Sequence, residues 1–137
     1  MSTIPLKQQL ITRLTSDATL IALLGDGANS VLPQAGLHPG QDTATPFLVL
    51  RMGAETPTSS ITARQFVTFW VYDNPLQGYW AIDRIITQLR VLLEGYEGLT
   101  FDGRSWGRSE YDGASEESTD DAWNKVFKTA RFSIPRL

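Results

Sequence analysis

The sequence contains no cysteine and a single histidine, and these two shortages remove much of the chemistry that side chains can carry out. Without cysteine, disulfides and thiolate-ligated metals are excluded. His38 lies beside Pro39 in a glycine- and proline-punctuated stretch, with no ligand or catalytic partner near it in sequence, so we expect a solvated loop histidine. Nucleophilic catalysis is therefore disfavoured, and no cofactor or metal site is expected.

Long apolar runs and an excess of basic residues are also missing. No stretch approaches the ~20 apolar residues of a membrane span, and residues 1–5 lack the charged start of a secretory signal. The net charge of −3 is not that of a general nucleic-acid binder, although a local basic patch remains compatible with it. We expect a soluble protein made in a cytoplasm.

The clearest positive signal is a helical pattern between Asn74 and Gly95. Six apolar residues recur at offsets of three and four, which places them in one stripe of an α-helix. They are Ile82, Ile85, Ile86, Leu89, Leu92 and Leu93. Asn74 is a good N-cap, Pro75 suits the first helical position, and Gly95 suits the left-handed residue that closes a helix. Such a stripe needs a sheet or another helix to cover it.

The remaining pattern predicts two more short helical stretches and four strands. Leucines every four residues predict a helix over 5–15, followed by a short turn that Ser16 or Asp17 can cap. Strand-forming runs occupy 47–52, 65–72, 99–111 and 122–134. We predict one domain over residues 1–137 with an α+β fold in the order α-β-β-α-β-β. A four-stranded, mainly antiparallel sheet carries the helices on one face, and its first two strands form a long hairpin.

The second strand is apolar on both faces. Val67, Phe69 and Val71 point to one side, and Phe66, Trp70 and Tyr72 point to the other. Helices that cover only one face leave the second apolar side exposed, so we expect it to be buried against another subunit. Phe66, Trp70 and Tyr72 are the predicted interface residues.

Two polar segments flank this strand and the last one. The first is the hairpin tip, predicted to be mobile, which comprises Glu55, Thr56, Pro57, Thr58, Ser59, Ser60, Ile61 and Thr62. The second spans residues 110–121 and holds six carboxylates and no basic residue. It does not match the spacing of a calcium loop, so a solvated loop or an electrostatic role at an assembly surface is favoured over a metal site or catalysis.

The layout resembles the small tail-terminator, or tail-completion, proteins of long-tailed bacteriophages, including tail-to-head joining proteins and relatives in gene-transfer particles. The similarity lies in order, length and texture over nearly the whole chain. It is carried by SDATLIALLGDGANSVLPQ, PFLVLRMGAETP, QFVTFWVYDNP, YWAIDRIITQLRVLLEG and NKVFKTARFSI. The sequence departs from this family in the Gly- and Pro-punctuated segment 25–46 and in the acidic segment before Trp123.

The resemblance implies a structural protein without enzymatic activity, located in the virion at the head-proximal end of the tail. Its subunits would form a ring, commonly a hexamer, that caps the tail tube, ends polymerisation and presents a surface to the head–tail connector. The hairpin tip would then contact the tube or a neighbour. Glu116, Glu117, Asp120 and Asp121 would line the lumen, where like charge repels passing DNA that is not specifically bound. No membrane partner is implied.

Two other readings stay open at the sequence level. A neck or head-completion adaptor of a phage particle fits the same resemblance. A small ligand-binding or enzymatic α+β domain is a reading of a different class, which a pocket with converging polar groups and a perturbed carboxylate would favour.

Overall fold

The structure of the protein, a computed structural model, describes residues 4–32, 44–57, 63–101 and 104–136. Three α-helices are present in this part of the chain: α1 (Leu6–Thr15), α2 (Ala18–Leu23) and α3 (Trp80–Leu93). The strands are β1 (Val31–Leu32), β2 (Phe47–Pro57), β3 (Ala63–Asp73), β4 (Thr100–Phe101), β5 (Arg104–Ser105), β6 (Glu110–Ala114), β7 (Ser118–Asp120) and β8 (Lys125–Arg136). Short 3-10 turns occupy Gly27–Ser30 and Pro75–Gln77.

Six of the strands form one mixed sheet in the order β1-β2-β3-β8-β6, with β7 following β6 along the edge of β8. Only β1 runs parallel to its neighbour, and all other pairs in this sheet are antiparallel. The long central strands β2, β3 and β8 are paired over most of their length. The tiny pair β4–β5 forms a separate two-stranded sheet.

The helices pack on one face of this sheet and bury the main core. The predicted stripe of α3 is buried in full, together with Leu6, Leu10 and Leu14 of α1. Against them lie the inward residues of the sheet, among them Leu50, Phe69 and Phe132. Leu50 and Phe69 are opposite one another in the register, which explains why the alternation places them on the same side.

Polar contacts fix the helices onto this core. The carboxylate of Asp17 accepts a hydrogen bond from the Leu20 N–H at 2.8 Å and so caps α2, as the sequence allowed. The same carboxylate receives the Gln88 side chain of α3 at 2.9 Å. Lys128 is an inward-facing residue of β8, and its ammonium reaches Asp83 of α3 at 2.7 Å. In the part of the chain that the structure describes, no helix is long and apolar enough to cross a membrane.

The α+β class is confirmed, but the prediction of a four-stranded sheet in the order α-β-β-α-β-β is wrong in detail. The sheet has six strands, because Val31–Leu32 adds a parallel edge strand and the acidic segment supplies β6 and β7. These two strands carry almost no apolar pattern. They form because the long strand β8 offers them a continuous row of backbone partners.

The boundaries of the central helix also differ from the prediction. Asn74 is a cap, since its side chain accepts from the Leu76 N–H at 3.0 Å, but it caps the separate 3-10 turn that Pro75 begins. Gly78 then adopts a positive φ of 64°, and α3 begins only at Trp80. At the other end, Gly95 has the predicted left-handed φ of 78°.

Candidate assembly surfaces

The side of the sheet away from the helices, called the second face below, combines aromatic and basic residues. The register places one set of alternating side chains there from each central strand. The set comprises Phe47, Val49 and Arg51 of β2, Phe66, Thr68, Trp70 and Tyr72 of β3, and Phe127, Thr129 and Arg131 of β8. Arg64, at the start of β3, has the same orientation.

One end of the second face is a small core of its own. The rings of Phe47 and Tyr72 stack at 5.0 Å, and Trp123 from the β7–β8 turn lies 5.0 Å from Tyr72 and 6.4 Å from Phe47. Phe47 is 0% and Tyr72 4% exposed. Burial, with the negative charge of Asp120 as a smaller cause, raises the pKa of Tyr72 to about 12. The prediction that Tyr72 is exposed is therefore wrong, because Trp123 covers this end from within the molecule.

The middle of the second face stays half-exposed. Trp70 stacks on Phe127 at 5.3 Å, and the guanidinium of Arg131 lies 4.0 Å from the ring centre of Phe66. Both Phe66 and Trp70 are partly buried, so each keeps ring surface that another chain can contact. Arg51, one strand away, is exposed. Phe66 and Trp70 remain predicted interface residues, whereas Tyr72 belongs to the covered end of the same face.

The hairpin is more regular than predicted. Glu55, Thr56 and Pro57 belong to β2 and pair with Gln65, Arg64 and Ala63, so this strand extends further than predicted. A bulge between Met52 and Glu55 sets two residues opposite Phe66. A Cβ at Gly53 would lie 3.2 Å from the Phe66 carbonyl oxygen, so a larger residue there would require a small shift of the strand. The other predicted tip residues, Thr58, Ser59, Ser60, Ile61 and Thr62, lie outside the described residues, as does His38.

The acidic segment is divided between structural and exposed carboxylates. Glu110 and Asp112 of β6 form ion pairs with Arg64 and Arg131 at 3.2 and 3.4 Å, which attaches the edge strand to the second face. Asp120 is half-buried, and its carboxylate accepts from the Trp123 N–H at 3.2 Å.

Glu116, Glu117 and Asp121 are the exposed part of this segment. None of the three forms an ion pair with a residue that the structure describes. Sequence reasoning predicted a loop here, and the structure places these three residues in the connections on either side of β7. Their position in a lumen stays a prediction.

A further surface, which sequence reasoning missed, surrounds the start of α3. Leu76 is 91% and Trp80 69% exposed. Trp80 lines two cavities, one of about 340 Å³ that also contains Thr87 in its lining and one of about 410 Å³ that contains Pro46. The signal in the sequence was two large apolar residues outside the helical stripe, immediately before it.

The larger cavity, called the Trp80 cleft below, has a buried carboxylate in its wall. Asp73 is 2% exposed, and its Oδ1 accepts from the Asn74 N–H at 2.7 Å. Burial raises the pKa of Asp73 above its ordinary value, against opposing effects of that hydrogen bond and of the Lys125 charge. The described lining is otherwise apolar or neutral, with Thr45, Gln77 and Trp80 among it. Asp73 is the one titratable residue among the described lining residues, which suits recognition of a donor or cation better than acid–base catalysis.

Within the ranges that the structure covers, no three acidic or histidine side chains are grouped closely enough to hold a metal ion.

No known protein family matches the sequence, and no curated protein matches it. The fold is similar to that of a chain in a solved structure described as "Virion of native gene transfer agent (GTA) particle". The match has a TM-score of 0.73 at 15% sequence identity and covers 96% of this chain and 93% of that chain. At this identity the similarity shows a shared fold.

Proposed function

We propose that this protein is a structural component of a phage-like virion, and specifically the subunit of a ring that caps the tail tube and joins it to the head. One observation carries the proposal: the fold matches a chain of a virion structure over 96% of this chain and 93% of that chain. The order of the sequence segments and their patterns of apolar and polar residues support the same assignment independently.

The ring closes through heterologous contacts, in which one surface of a subunit meets a different surface of its neighbour. The half-exposed rings of Phe66 and Trp70 form one of these surfaces. The hairpin end beyond Pro57 contacts the tail tube or the adjacent subunit. Glu116, Glu117, Asp120 and Asp121 face the lumen, and their charge keeps DNA from adhering as it passes. The proposed partners are other copies of this chain, a tail-tube protein and a head–tail connector, with no enzymatic step.

The assembly surface is tested with an aspartate variant of Trp70 and a matched control. Trp70→Asp places a charge in the proposed contact and should abolish multimers in light scattering after size-exclusion chromatography. Val91→Asp places the same charge at an apolar position on α3 that is 67% exposed and lies in the helical layer, away from the second face. It should assemble normally. Circular dichroism establishes that both variants are folded. Equal assembly of the two variants contradicts the proposed role of Trp70.

The position in the particle is tested by deleting the gene from a producing strain and imaging the particles. Loss of a tail terminator should give overlong tails. Loss of a neck or head-completion adaptor, which the same fold similarity also supports, should give full heads beside detached tails of normal length. Normal particles in the deletion strain would contradict both roles.

The lumen assignment is tested by reversing charge. A Glu116→Lys, Glu117→Lys ring should retain DNA at low salt, whereas the unmodified ring should not, because lysines near phosphates bind DNA electrostatically. Addition of salt should release the DNA. A reversed-charge ring that still ignores DNA places these carboxylates elsewhere.

A further inference from the structure

The Trp80 cleft has the features of a surface that another chain covers. Leu76 and Trp80 are the two most exposed large apolar side chains in the described residues. Trp80 lines the cleft, and Leu76 lies in the chain between its lining residues Asn74 and Gln77. Covering these two side chains with another chain would be favourable by roughly 25 cal/mol per Å² of apolar area removed from water. The adjoining cavity of about 410 Å³ gives an incoming side chain room to enter.

The wall of the cleft favours a positively charged side chain in the chain that covers it. The Asp73 carboxylate is 2% exposed and has one hydrogen bond, from the neighbouring backbone. Lys125 acts on Asp73 only at longer range, and no described cation forms an ion pair with it. A buried carboxylate without an ion pair is costly in its charged form, and a guanidinium directed at it would stabilise that form. The chemistry of the occupant is therefore an arginine side chain set beside apolar surface.

The second face of this same chain presents that combination. Most other described arginines are already engaged: Arg64 and Arg131 with carboxylates, and Arg84 against the Trp80 ring at 4.6 Å. Arg51 is exposed, forms no ion pair or ring contact with a described residue, and shares its face with Phe66 and Trp70. A cation and half-exposed aromatic rings thus lie side by side.

We propose that the Trp80 cleft of one copy receives the second face of the next copy, with Arg51 of the neighbouring copy directed at Asp73 and Phe66 and Trp70 of that copy covering Leu76 and Trp80. This rests on the proposed ring and names the second of the two surfaces that its heterologous contact requires. The two surfaces lie on different elements of the fold, so the contact leaves one free surface at each end and extends until the ring closes.

The absence of cysteine makes chemical cross-linking a direct test, because every introduced thiol is unique. The double variant Arg51→Cys, Gln77→Cys joins the second face to the rim of the cleft. Treated with a short bismaleimide, it should give a ladder of covalent multimers in denaturing electrophoresis, whereas either single variant should give no species beyond a dimer. In the matched control Arg51→Cys, Val91→Cys, the second thiol is exposed but distant from the cleft, and no ladder should form.

A charge series tests the ion pair itself. Arg51→Glu should weaken self-association at least about tenfold in concentration-dependent light scattering, and Arg51→Lys should recover part of the loss. Asp73→Asn should weaken association in the same direction.

The outcomes separate this inference from the proposed function. Rings that form in electron micrographs while the Arg51–Gln77 pair gives no ladder overturn this pairing and leave the ring intact. A protein that stays monomeric at every concentration, with and without tail tubes, and gives no ladder overturns both. A ladder from the control pair equal to that of the test pair also overturns the pairing.

Discussion

Truncation of Trp123 tests whether the second face has a core of its own. Trp123 contacts Tyr72 and Phe47 at ring separations of 5.0 and 6.4 Å, both tilted by about 40°. Two such aromatic contacts contribute about 1–3 kcal/mol beyond the area that they bury. Truncation of a fully buried tryptophan to alanine lowers the free energy of unfolding by about 3–5 kcal/mol, and Trp123 is only half-buried. We therefore expect Trp123→Ala to lower the free energy of unfolding by about 2–3 kcal/mol.

Equilibrium unfolding in urea measures this loss. With a slope of about 2 kcal/mol per M, the midpoint should fall by about 1–1.5 M at an unchanged slope. The melting temperature should fall by about 5–10 °C. Measurements belong at concentrations too low for self-association, because assembly stabilises the folded chain by mass action.

The matched control is Trp80→Ala, which removes the same side chain from a site that is 69% exposed. Its effect should stay within about 1 kcal/mol, since the Arg84 contact is the main interaction lost. The reasoning is refuted if Trp123→Ala unfolds at the wild-type midpoint, because Phe47 and Tyr72 would then need no cover from within the molecule.

Three further results are expected. Asp73→Asn should flatten the pH dependence of stability. Burial raises the pKa of Asp73, so the contribution of this group to the free energy of unfolding is fully present below pH ~3.9 and is lost as pH rises through its higher pKa in the folded protein. Urea midpoints measured across acidic pH test this expectation. Tyr72→Phe should remove one phenol ionisation near pH 12 from the tyrosinate absorbance titration, and an unchanged titration would contradict the burial of Tyr72. Gly25→Ala should cost about 1–3 kcal/mol, because its Cβ would lie 2.5 Å from the Thr45 carbonyl oxygen, and an unchanged melting temperature would contradict that contact.

The sequence predicted best where apolar periodicity and burial coincide. The stripe of α3 and the leucines of α1 were read correctly, because a helix that packs on a sheet must repeat its apolar residues every three or four positions. The two apolar faces of β3 were also read correctly, since alternation is a property of the strand alone.

What could not be read is set by contacts distant in sequence. The cover that Trp123 gives to Tyr72 depends on the turn before β8, and no local pattern of β3 contains it. Polar strands such as β6 form against a long neighbour, without any apolar signal of their own. The Trp80 cleft joins α2, residues 44–46 and the start of α3, so its residues become neighbours only in the folded chain.

The hairpin is backed by a third strand along its whole length, since β8 pairs with β3 from Asp73 to Ala63. An isolated two-stranded hairpin is at best marginally stable in water, whereas here three paired strands form a sheet whose other end packs in the main core. The Gln65 side chain donates a hydrogen bond to the Gly53 carbonyl oxygen at 2.7 Å and so connects the two strands at the bulge. A partner that binds the paired part of the hairpin would therefore meet strands that are already ordered, and little conformational entropy would be lost on binding.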